Sequence, residues 1–227
     1  MSHETGTLAP DGVRTMFDRI APVYDAMNRV MTAGLDRSWR RRTVAAAVRP
    51  GSRVIDVCCG TGDLAIEAHR AGGVVTGLDF SEAMLERARR KSDAVSWVRG
   101  DALALPFGDG AFDAATVGFG IRNVADLERG LGELRRVLRP GGTLAVLEIT
   151  EPRGPLRPFF RLWFDRVVPV LGRVLPGGEA YTYLPASVRR FPDAETLAVM
   201  LARAGFDGVR FERMAGSIVA LHVGRAA

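Results

Sequence analysis

From residue 53 onward, short apolar runs alternate with amphipathic stretches, and this alternation constrains the fold most. The apolar runs predict seven strands at residues 53–59, 74–79, 95–101, 112–119, 143–149, 206–214 and 217–225. The amphipathic stretches predict helices at residues 63–72, 81–91, 126–139 and 193–205. Such an alternation requires right-handed crossovers and a mainly parallel sheet with helices on both faces, closed here by a final hairpin. The sequence therefore predicts a Rossmann-like α/β fold with a seven-stranded sheet.

Two regions stand outside this alternation. Residues 11–50 are expected to form an N-terminal helical cap that is broken near Pro22. Residues 150–192 form an insertion rich in proline and arginine, and within it residues 156–171 carry an apolar arc opposite charged positions. That arc is typical of a lid or of a membrane-facing helix, with ordinary core packing as the alternative. The length of the chain suits one domain spanning residues 1–227.

Composition narrows the partners that are expected. No apolar run approaches the roughly 20 residues of a bilayer-spanning helix, and residues 1–10 show no secretory signal, so a cytoplasmic location is expected. Lys and Arg number 31 against 26 Asp and Glu, but they are spread along the chain without interleaved aromatic residues. This favours a solvated or membrane-facing surface and predicts no nucleic-acid partner.

The two cysteines, Cys58 and Cys59, are adjacent and lie in an apolar context. They are expected to be small buried hydrophobic residues at a strand end rather than a disulfide or a metal pair. The three histidines are scattered without ligand spacing, so no metal is predicted.

Residues 56–63, "DVCCGTGD", place a glycine turn after the first predicted strand. Gly60 and Gly62 begin a G-x-G-x-x-A pattern, so a protein that binds NAD is one interpretation. Asp56 and Asp63 flank the turn, however, and carboxylates there would repel a pyrophosphate by about 1 kcal/mol or more per close pair. A cationic nucleoside would instead be attracted, and S-adenosylmethionine carries a sulfonium and an ammonium. The turn therefore favours S-adenosylmethionine.

Two further acidic residues end the next predicted strands. Asp79 follows the glycine turn by about 20 residues, a spacing typical of a carboxylate that binds a ribose diol. Asp101, followed by Ala102, is placed to accept a hydrogen bond from the adenine amine. A helix cap or a turn residue is the alternative for either acid alone.

The motifs together resemble the ubiquinone/menaquinone biosynthesis C-methyltransferases. The resemblance is carried by "YDAMNRVMTAGLDRSW" (24–39), the glycine turn, "GFGIRNV" (118–124), "RVLRPGGTLAVLEIT" (136–150) and "YTYLPASVRRFPDAETL" (181–197). It implies a class I S-adenosylmethionine-dependent methyltransferase that methylates a ring carbon of a polyprenylated hydroquinone, with S-adenosylhomocysteine as the product. It also implies that Thr61, Asp79, Asp101, Ala102 and Gly118 contact the cofactor.

The substrate implied by the resemblance is demethylmenaquinol, which becomes menaquinol, and a substrate of this kind implies contact with the membrane surface. A benzoquinol of the ubiquinone pathway and a soluble secondary metabolite are the alternatives within the methyltransferases. A nonenzymatic quinone-binding protein is the alternative outside them. The length of the prenyl tail and the oligomeric state stay open.

Three residues are expected to carry the chemistry of the quinol ring. Arg122 is the candidate that stabilises the phenolate or polarises a water that removes the proton, because a fixed cation favours the anionic form. Asn123 could orient the quinol oxygen, and Tyr24 could close over the ring or hydrogen-bond to it. A surface ion pair for Arg122 and helix packing for Tyr24 are the alternatives.

Overall fold

The computed structural model describes residues 10–150, 162, 166 and 178–227. Its strands are β1 (Arg53–Val57), β2 (Val74–Asp79), β3 (Ser96–Arg99), β4 (Phe112–Gly118), β5 (Leu138–Ile149), β6 (Phe206–Met214) and β7 (Val219–Ala226). They form one sheet in the order β3-β2-β1-β4-β5-β7-β6. The pairs from β3 to β5 are parallel, whereas β7 is antiparallel to both β5 and β6. The predicted seven-stranded, mainly parallel sheet with its final hairpin is confirmed.

The helices in the described residues also follow the predicted pattern, except for the one at Gly178–Arg190, which lies in the insertion and was not predicted. They are α1 (Pro10–Ile20), α2 (Tyr24–Met31), α3 (Asp36–Ala47), α4 (Asp63–Arg70), α5 (Glu82–Lys91), α6 (Leu127–Val137), α7 (Gly178–Arg190) and α8 (Ala194–Arg203), with a short 3-10 helix at Ile121–Asn123. The expected break near Pro22 separates α1 from α2. The Ser81 hydroxyl caps α5 by accepting from the Met84 N–H at 3.2 Å.

One boundary differs from the sequence expectation. The predicted helix at 126–139 ends at Val137, and β5 begins at Leu138 rather than at residue 143. Leu138 pairs with Phe112 and is buried, so core packing draws the chain into the sheet before Pro140. A register shift between Phe112 and Ala114 accommodates the extra residues.

Apolar side chains pack on both faces of the sheet. Adjacent residues of β1 illustrate this, because Val54 packs with α3 and α4 whereas Ile55 packs with α6 and α8. Alternate residues of a strand point to opposite faces, so the near-continuous apolar runs of the central strands form a core on both faces of the sheet. The carboxyl ends of the parallel strands are left to carry polar groups.

Segment 156–171 falls outside the described residues except for Leu162 and Arg166, neither of which belongs to the predicted apolar arc, so the arc stays a prediction. Within the described residues, no helix has the length and apolar character needed to span a bilayer. The described part of the chain also contains no group of three or more His, Cys, Asp or Glu side chains placed to hold a metal ion.

Candidate active site

A cavity of about 520 Å³ lies at the carboxyl ends of β2 and β4. Helices α1 and α2 cover it, contributing Phe17 and Tyr24 to its wall. Ligands of doubly wound sheets bind at this edge, because the strand ends and the following turns leave a crevice there. The cavity is therefore the candidate binding site.

The structure brings most of the predicted site residues to this cavity. Those that line it are Tyr24, Gly60, Asp79, Asp101, Ala102, Gly118 and Asn123. Four others are not part of the lining, namely Asp56, Thr61, Gly62 and Arg122. The position of each of these four has an identifiable cause in the packing.

The Asp79 carboxylate is held in place by the backbone. Its Oδ2 accepts from the Gly60 N–H at 2.8 Å, and its Oδ1 accepts from the Ser81 N–H at 2.9 Å. Burial raises the pKa of Asp79 to about 6, although these backbone hydrogen bonds oppose the rise. Each oxygen retains a free lone pair. The carboxylate can therefore accept from two neighbouring hydroxyls, as on a ribose.

The loop after β3 supplies a second carboxylate. Asp101 is exposed, and its Oδ1 accepts from the Leu103 N–H at 2.9 Å. Ala102, Leu103 and the side chain of Phe80 also line the cavity here. An acid beside apolar surface and free backbone groups suits the polar edge and the flat face of a purine.

Close backbone approach makes glycine necessary beside the cavity. A Cβ at Gly118 would lie 2.9 Å from Leu64 Cδ2, and one at Gly120 would lie 2.3 Å from Cys58 Cβ. A side chain at Gly120 would force the loop after β4 away from Cys58, whereas the Leu64 methyl beside Gly118 is the end of a flexible side chain that can turn aside. Gly62 serves packing instead, since a Cβ there would lie 2.4 Å from the ring of Trp97.

Thr61 is engaged by the N-terminal cap instead of the cavity. Its hydroxyl donates to Asp25 Oδ1 at 2.6 Å. Lys91 Nζ lies 2.9 Å from the Thr61 hydroxyl, 2.6 Å from Asp25 Oδ2 and 2.7 Å from Asp63 Oδ1. These four residues, the Lys91 latch, hold the first turn of α2 against the glycine turn.

Asp56 lies inside the sheet beneath the turn. It is 1% exposed, and its Oδ1 accepts from the Thr116 hydroxyl at 2.7 Å. Its Oδ2 is buried without a partner. Burial raises its pKa to about 7, against the opposing effect of the Thr116 hydrogen bond. Asp56 therefore supports the turn from below and is easier to protonate than a solvent-exposed aspartate.

Arg122 is a buried cation held by a buried acid. Its Nη1 donates to Glu148 Oε1 at 2.7 Å and to the Phe119 carbonyl at 2.5 Å. Burial by itself would lower the pKa of Arg122, but the charges of Glu148 and Tyr24 outweigh it and raise the pKa. Arg122 therefore stays protonated, so it can stabilise an anion but cannot itself remove a proton.

Several buried polar atoms beside Arg122 have no protein partner. They are Arg122 Nε, Asn123 Oδ1, Thr150 Oγ1 and the Tyr183 hydroxyl, here called the unpartnered group. Helix α7, which carries Tyr183, contacts the 3-10 helix that carries Arg122 and Asn123. Buried polar groups are normally satisfied, so these atoms need partners that the described side chains do not supply, such as water or a polar ligand.

Two residues of this region were not identified from the sequence, namely Glu148 and Tyr183. Glu148 is an acid within the apolar run of β5, and that contrast was the available signal. Tyr183 had no signal of its own, because α7 approaches the 3-10 helix only in the fold.

Comparison with known proteins identifies the family. A model of the ubiE/COQ5 methyltransferase family matches residues 5–226. The chain belongs to this family. Demethylmenaquinone methyltransferase of Thermus thermophilus is 49% identical over 92% of this chain and 99% of its own length. A 2-phytyl-1,4-naphtoquinone methyltransferase of Synechococcus elongatus is 42% identical over 95% of this chain and 97% of its own.

Solved structures show the same fold. An S-adenosylmethionine-dependent methyltransferase from Thermotoga maritima has a TM-score of 0.69 at 22% identity, covering 94% of this chain and 99% of its own. The cyclase SpnF has a TM-score of 0.70 at 21% identity, covering 94% of both chains. The chain therefore has the expected class I methyltransferase fold, and its family supports S-adenosylmethionine as the cofactor.

The residues that line the cavity fit that cofactor. The Asp79 carboxylate keeps lone pairs for a ribose diol, and Asp101 lies beside the apolar surface of Phe80. Arg122 is bound to Glu148 and does not line the cavity, whereas Arg14 and Arg99 do, and Arg14 pairs with Asp11. Asp79 and Asp101 are the lining acids that can meet a positively charged ligand.

Proposed function

We propose that this methyltransferase methylates a ring carbon of a polyprenylated naphthohydroquinone, converting demethylmenaquinol to menaquinol with S-adenosylhomocysteine as the second product. The observation that carries this proposal is the 49% identity to the Thermus thermophilus demethylmenaquinone methyltransferase over nearly the full length of both chains. A demethylmenaquinone methyltransferase of Desulfitobacterium hafniense is 40% identical over 94% of this chain and 89% of its own.

A naphthoquinol nucleus is supported over a benzoquinol one by a second relative. The Synechococcus elongatus protein is named for a 1,4-naphthoquinone with a phytyl tail rather than a menaquinone tail. Relatives with different tails therefore share the bicyclic ring, which is the part that an active site must fit.

The cofactor would occupy the side of the cavity next to the glycine turn. Asp79 would bind the ribose diol, and Asp101 and Ala102 would bind the adenine. The backbone at Gly60 and Gly118 would approach the rest of the cofactor. Asp56, Thr61 and Gly62 would act from behind the turn by fixing its shape. When bound, S-adenosylmethionine supplies a methyl group that is already activated on a sulfonium.

Arg122 would act on the quinol hydroxyl. A phenol with a pKa near ~10 is mostly protonated at neutral pH, and lowering that pKa by about 3 units corresponds to about 4 kcal/mol. A cation that Glu148 fixes within a buried site can supply stabilisation of this order to a phenolate. The ionised hydroxyl then raises the electron density of the ring carbon beside it, which is the carbon to be methylated.

Asn123 and Tyr24 would position the ring. Asn123 lines the cavity and its Oδ1 has no partner, so it can accept the hydrogen of a quinol hydroxyl. Burial raises the pKa of Tyr24, which keeps its hydroxyl a hydrogen-bond donor at neutral pH. Tyr24 lies on α2, which the Lys91 latch holds over the turn, so it can close the cavity above the ring.

A substrate with a prenyl tail implies peripheral contact with a membrane. We infer that residues 1–227 act as one methyltransferase domain, located in the cytoplasm at the inner face of the membrane. The insertion at 150–192 is the segment that would serve as a lid or as a membrane contact.

A methyl-transfer assay tests the reaction directly. Labelled S-adenosylmethionine is incubated with chemically reduced short-tail demethylmenaquinol, and a parallel reaction contains the matching benzoquinol. We expect label on the naphthoquinol ring carbon and a value of kcat/KM at least about 10-fold lower for the benzoquinol, because the smaller ring loses apolar contact.

The reverse preference would assign the enzyme to benzoquinols. Absence of transfer to either quinol, with cofactor binding intact in a titration, would reject the quinol proposal and favour a soluble metabolite as the substrate.

A further inference from the structure

The turn between α2 and α3 presents apolar side chains to solvent. Val30 is 77% exposed and Leu35 is 50% exposed. They lie on either side of a tight reversal in which Ala33 and Gly34 have positive φ. Helix α2 has no buried residue at all, so nothing in the described part of the chain covers this end of it. Residues 29–41 are called the α2–α3 tip below.

A basic cleft of about 660 Å³ lies beside the apolar turn. Its cationic lining residues are Arg29, Arg37, Arg40, Arg41, Arg70 and Lys91. Three of these are neutralised, since Lys91 belongs to the latch, Arg40 pairs with Asp36 and Asp63, and Arg70 pairs with Glu67.

Three of the arginines keep their charge uncompensated. Among the described residues, Arg29, Arg37 and Arg41 have no carboxylate partner, and all three are exposed. The tip therefore combines two exposed apolar side chains with three unneutralised cations on one small surface.

This combination matches an anionic bilayer better than other anions. Two contributions hold a protein on such a surface. They are apolar side chains at the headgroup boundary and arginines among the lipid phosphates. A free phosphate would use only the arginines and would leave Val30 and Leu35 in water. The charge and the apolar surface together thus indicate an anionic lipid bilayer as the occupant.

The same helix connects the tip to the active site. Tyr24, at the start of α2, lines the cavity, and Val30 lies six residues later, roughly 9 Å along the helix axis. The Lys91 latch fixes the first turn of α2 through Asp25. Docking at one end of α2 therefore places the mouth of the cavity close to the bilayer.

We propose that the α2–α3 tip docks this enzyme on an anionic lipid surface, with Val30 and Leu35 in the headgroup boundary and Arg29, Arg37 and Arg41 on lipid phosphates. The docking would serve to capture a prenylated quinol, and in this respect the inference rests on the proposed function. The lipid contact itself is a separate physical property and can be measured without the reaction.

Vesicle binding by the full chain tests the proposal. Cosedimentation is measured with vesicles of phosphatidylcholine alone and with vesicles that also contain phosphatidylglycerol. We expect tighter binding to the anionic vesicles, and a loss of about 10-fold or more in Val30→Ser/Leu35→Ser and in Arg37→Glu/Arg41→Glu. The control is Val199→Ser/Arg203→Glu on α8, where Val199 is 51% exposed and Arg203 is also exposed. Its binding should stay within about 2-fold of the unmodified enzyme, because α8 lies on the opposite face of the sheet from α3.

Three results would overturn the proposal. These are equal binding to both vesicle types, unchanged binding by both tip variants, and an equal loss in the α8 control. Saturable binding of inorganic phosphate that the arginine variant abolishes, with no vesicle binding, would likewise overturn it and assign the cleft to a soluble anion. Should a double variant fail to fold, as judged by its thermal melting, the single Val30→Ser and Arg41→Glu variants replace it.

Methyl transfer to a short-tail quinol in detergent-free solution separates the two proposals. Tip variants should keep this activity, because none of their positions lines the cavity. Failure of vesicle binding with intact methyl transfer would reject only the docking surface. Intact vesicle binding without methyl transfer would reject only the proposed reaction.

Discussion

The polar groups around Asp79 are satisfied within the protein, whereas those around Arg122 are not. On the cofactor side, Asp79 accepts from two backbone N–H groups, and the Lys91 latch fixes Thr61. On the quinol side, the unpartnered group leaves four buried polar atoms without hydrogen bonds. Under the proposed function, the cofactor meets a preformed site around Asp79, while the polar groups around Arg122 are kept for the quinol.

The regions around Asp79 and Arg122 also stabilise their buried charges in different ways. Asp79 is an acid that is costly to keep ionised, and two N–H groups support it. Arg122 is kept charged by a buried ion pair with Glu148, which stabilises little by itself but fixes a cation in a water-poor site. Under the proposed function, the Asp79 side supplies shape and the Arg122 side supplies electrostatic stabilisation.

The largest effect is expected from Arg122→Met. Removing the cation should lower kcat by about 100-fold or more, since a preorganised charge acts on the ionised quinol, while the Kd for S-adenosylmethionine should change by less than about 3-fold. The variant should also lose roughly 3–5 kcal/mol of stability, because Glu148 becomes a buried unpaired charge. Single-turnover kinetics, cofactor titration and urea denaturation measure these quantities.

A double variant separates catalysis from folding. Arg122→Met/Glu148→Gln should recover much of the stability of the fold, because no buried charge remains unpaired. It should not recover kcat. Recovery of turnover together with stability would show that Arg122 has a structural role only.

A smaller effect is expected from Tyr183→Phe. The buried Tyr183 hydroxyl has no partner in the protein, so its removal should leave the melting temperature unchanged or slightly higher. If the hydroxyl binds the quinol, the KM for quinol should rise by about 5- to 10-fold, while the KM for S-adenosylmethionine stays constant. A variant that melts earlier and has an unaltered KM for quinol would place Tyr183 in the core and outside the site.

The backbone framework of the site was predictable because its signals are local. The strand that precedes the glycine turn and the final hairpin each follow from a few adjacent residues, and both are confirmed. The boundary between α6 and β5 was not predictable, since the burial of Leu138 against β4 determines it and Pro140 suggests a later start.

Side-chain partners were less accessible to sequence reasoning. Asp63 was expected to face the ligand because it is next to the turn, but it lies against Lys91 and Arg40. Thr61 meets Asp25 across 36 positions, and Arg122 meets Glu148 across 26. Such pairs depend on which helices and strands become neighbours, and a single sequence carries no local signal for that.

Asp56 is the exception on the cofactor side, and it gives the finest test of the comparison. Unlike Asp79, it has one buried oxygen without a partner, and burial raises its pKa from 3.8 to about 7. Between these two values the folded protein binds a proton that the unfolded chain has released. The free energy of unfolding contributed by Asp56 therefore falls as the pH rises from about 4 through about 7.

The variant Asp56→Asn should remove this dependence, since the amide does not titrate and its oxygen can still accept from Thr116. Relative to the unmodified enzyme, the free energy of unfolding of the variant should increase by about 2 kcal/mol between pH 5 and pH 8 in urea denaturation without cofactor. Asp113→Asn is the control of opposite sign, because hydrogen bonds from the Arg53 backbone and from Arg139 lower the pKa of Asp113.

The control should change mainly at acid pH. The stability that ionised Asp113 contributes is present above the unfolded pKa and is lost as the pH falls through the lower, folded value. A constant difference between Asp56→Asn and the unmodified enzyme from pH 5 to pH 8 would mean that Asp56 is ionised throughout. Its unpartnered oxygen would then be satisfied by water, and the cofactor side would be as fully hydrogen-bonded beneath the turn as it is at Asp79.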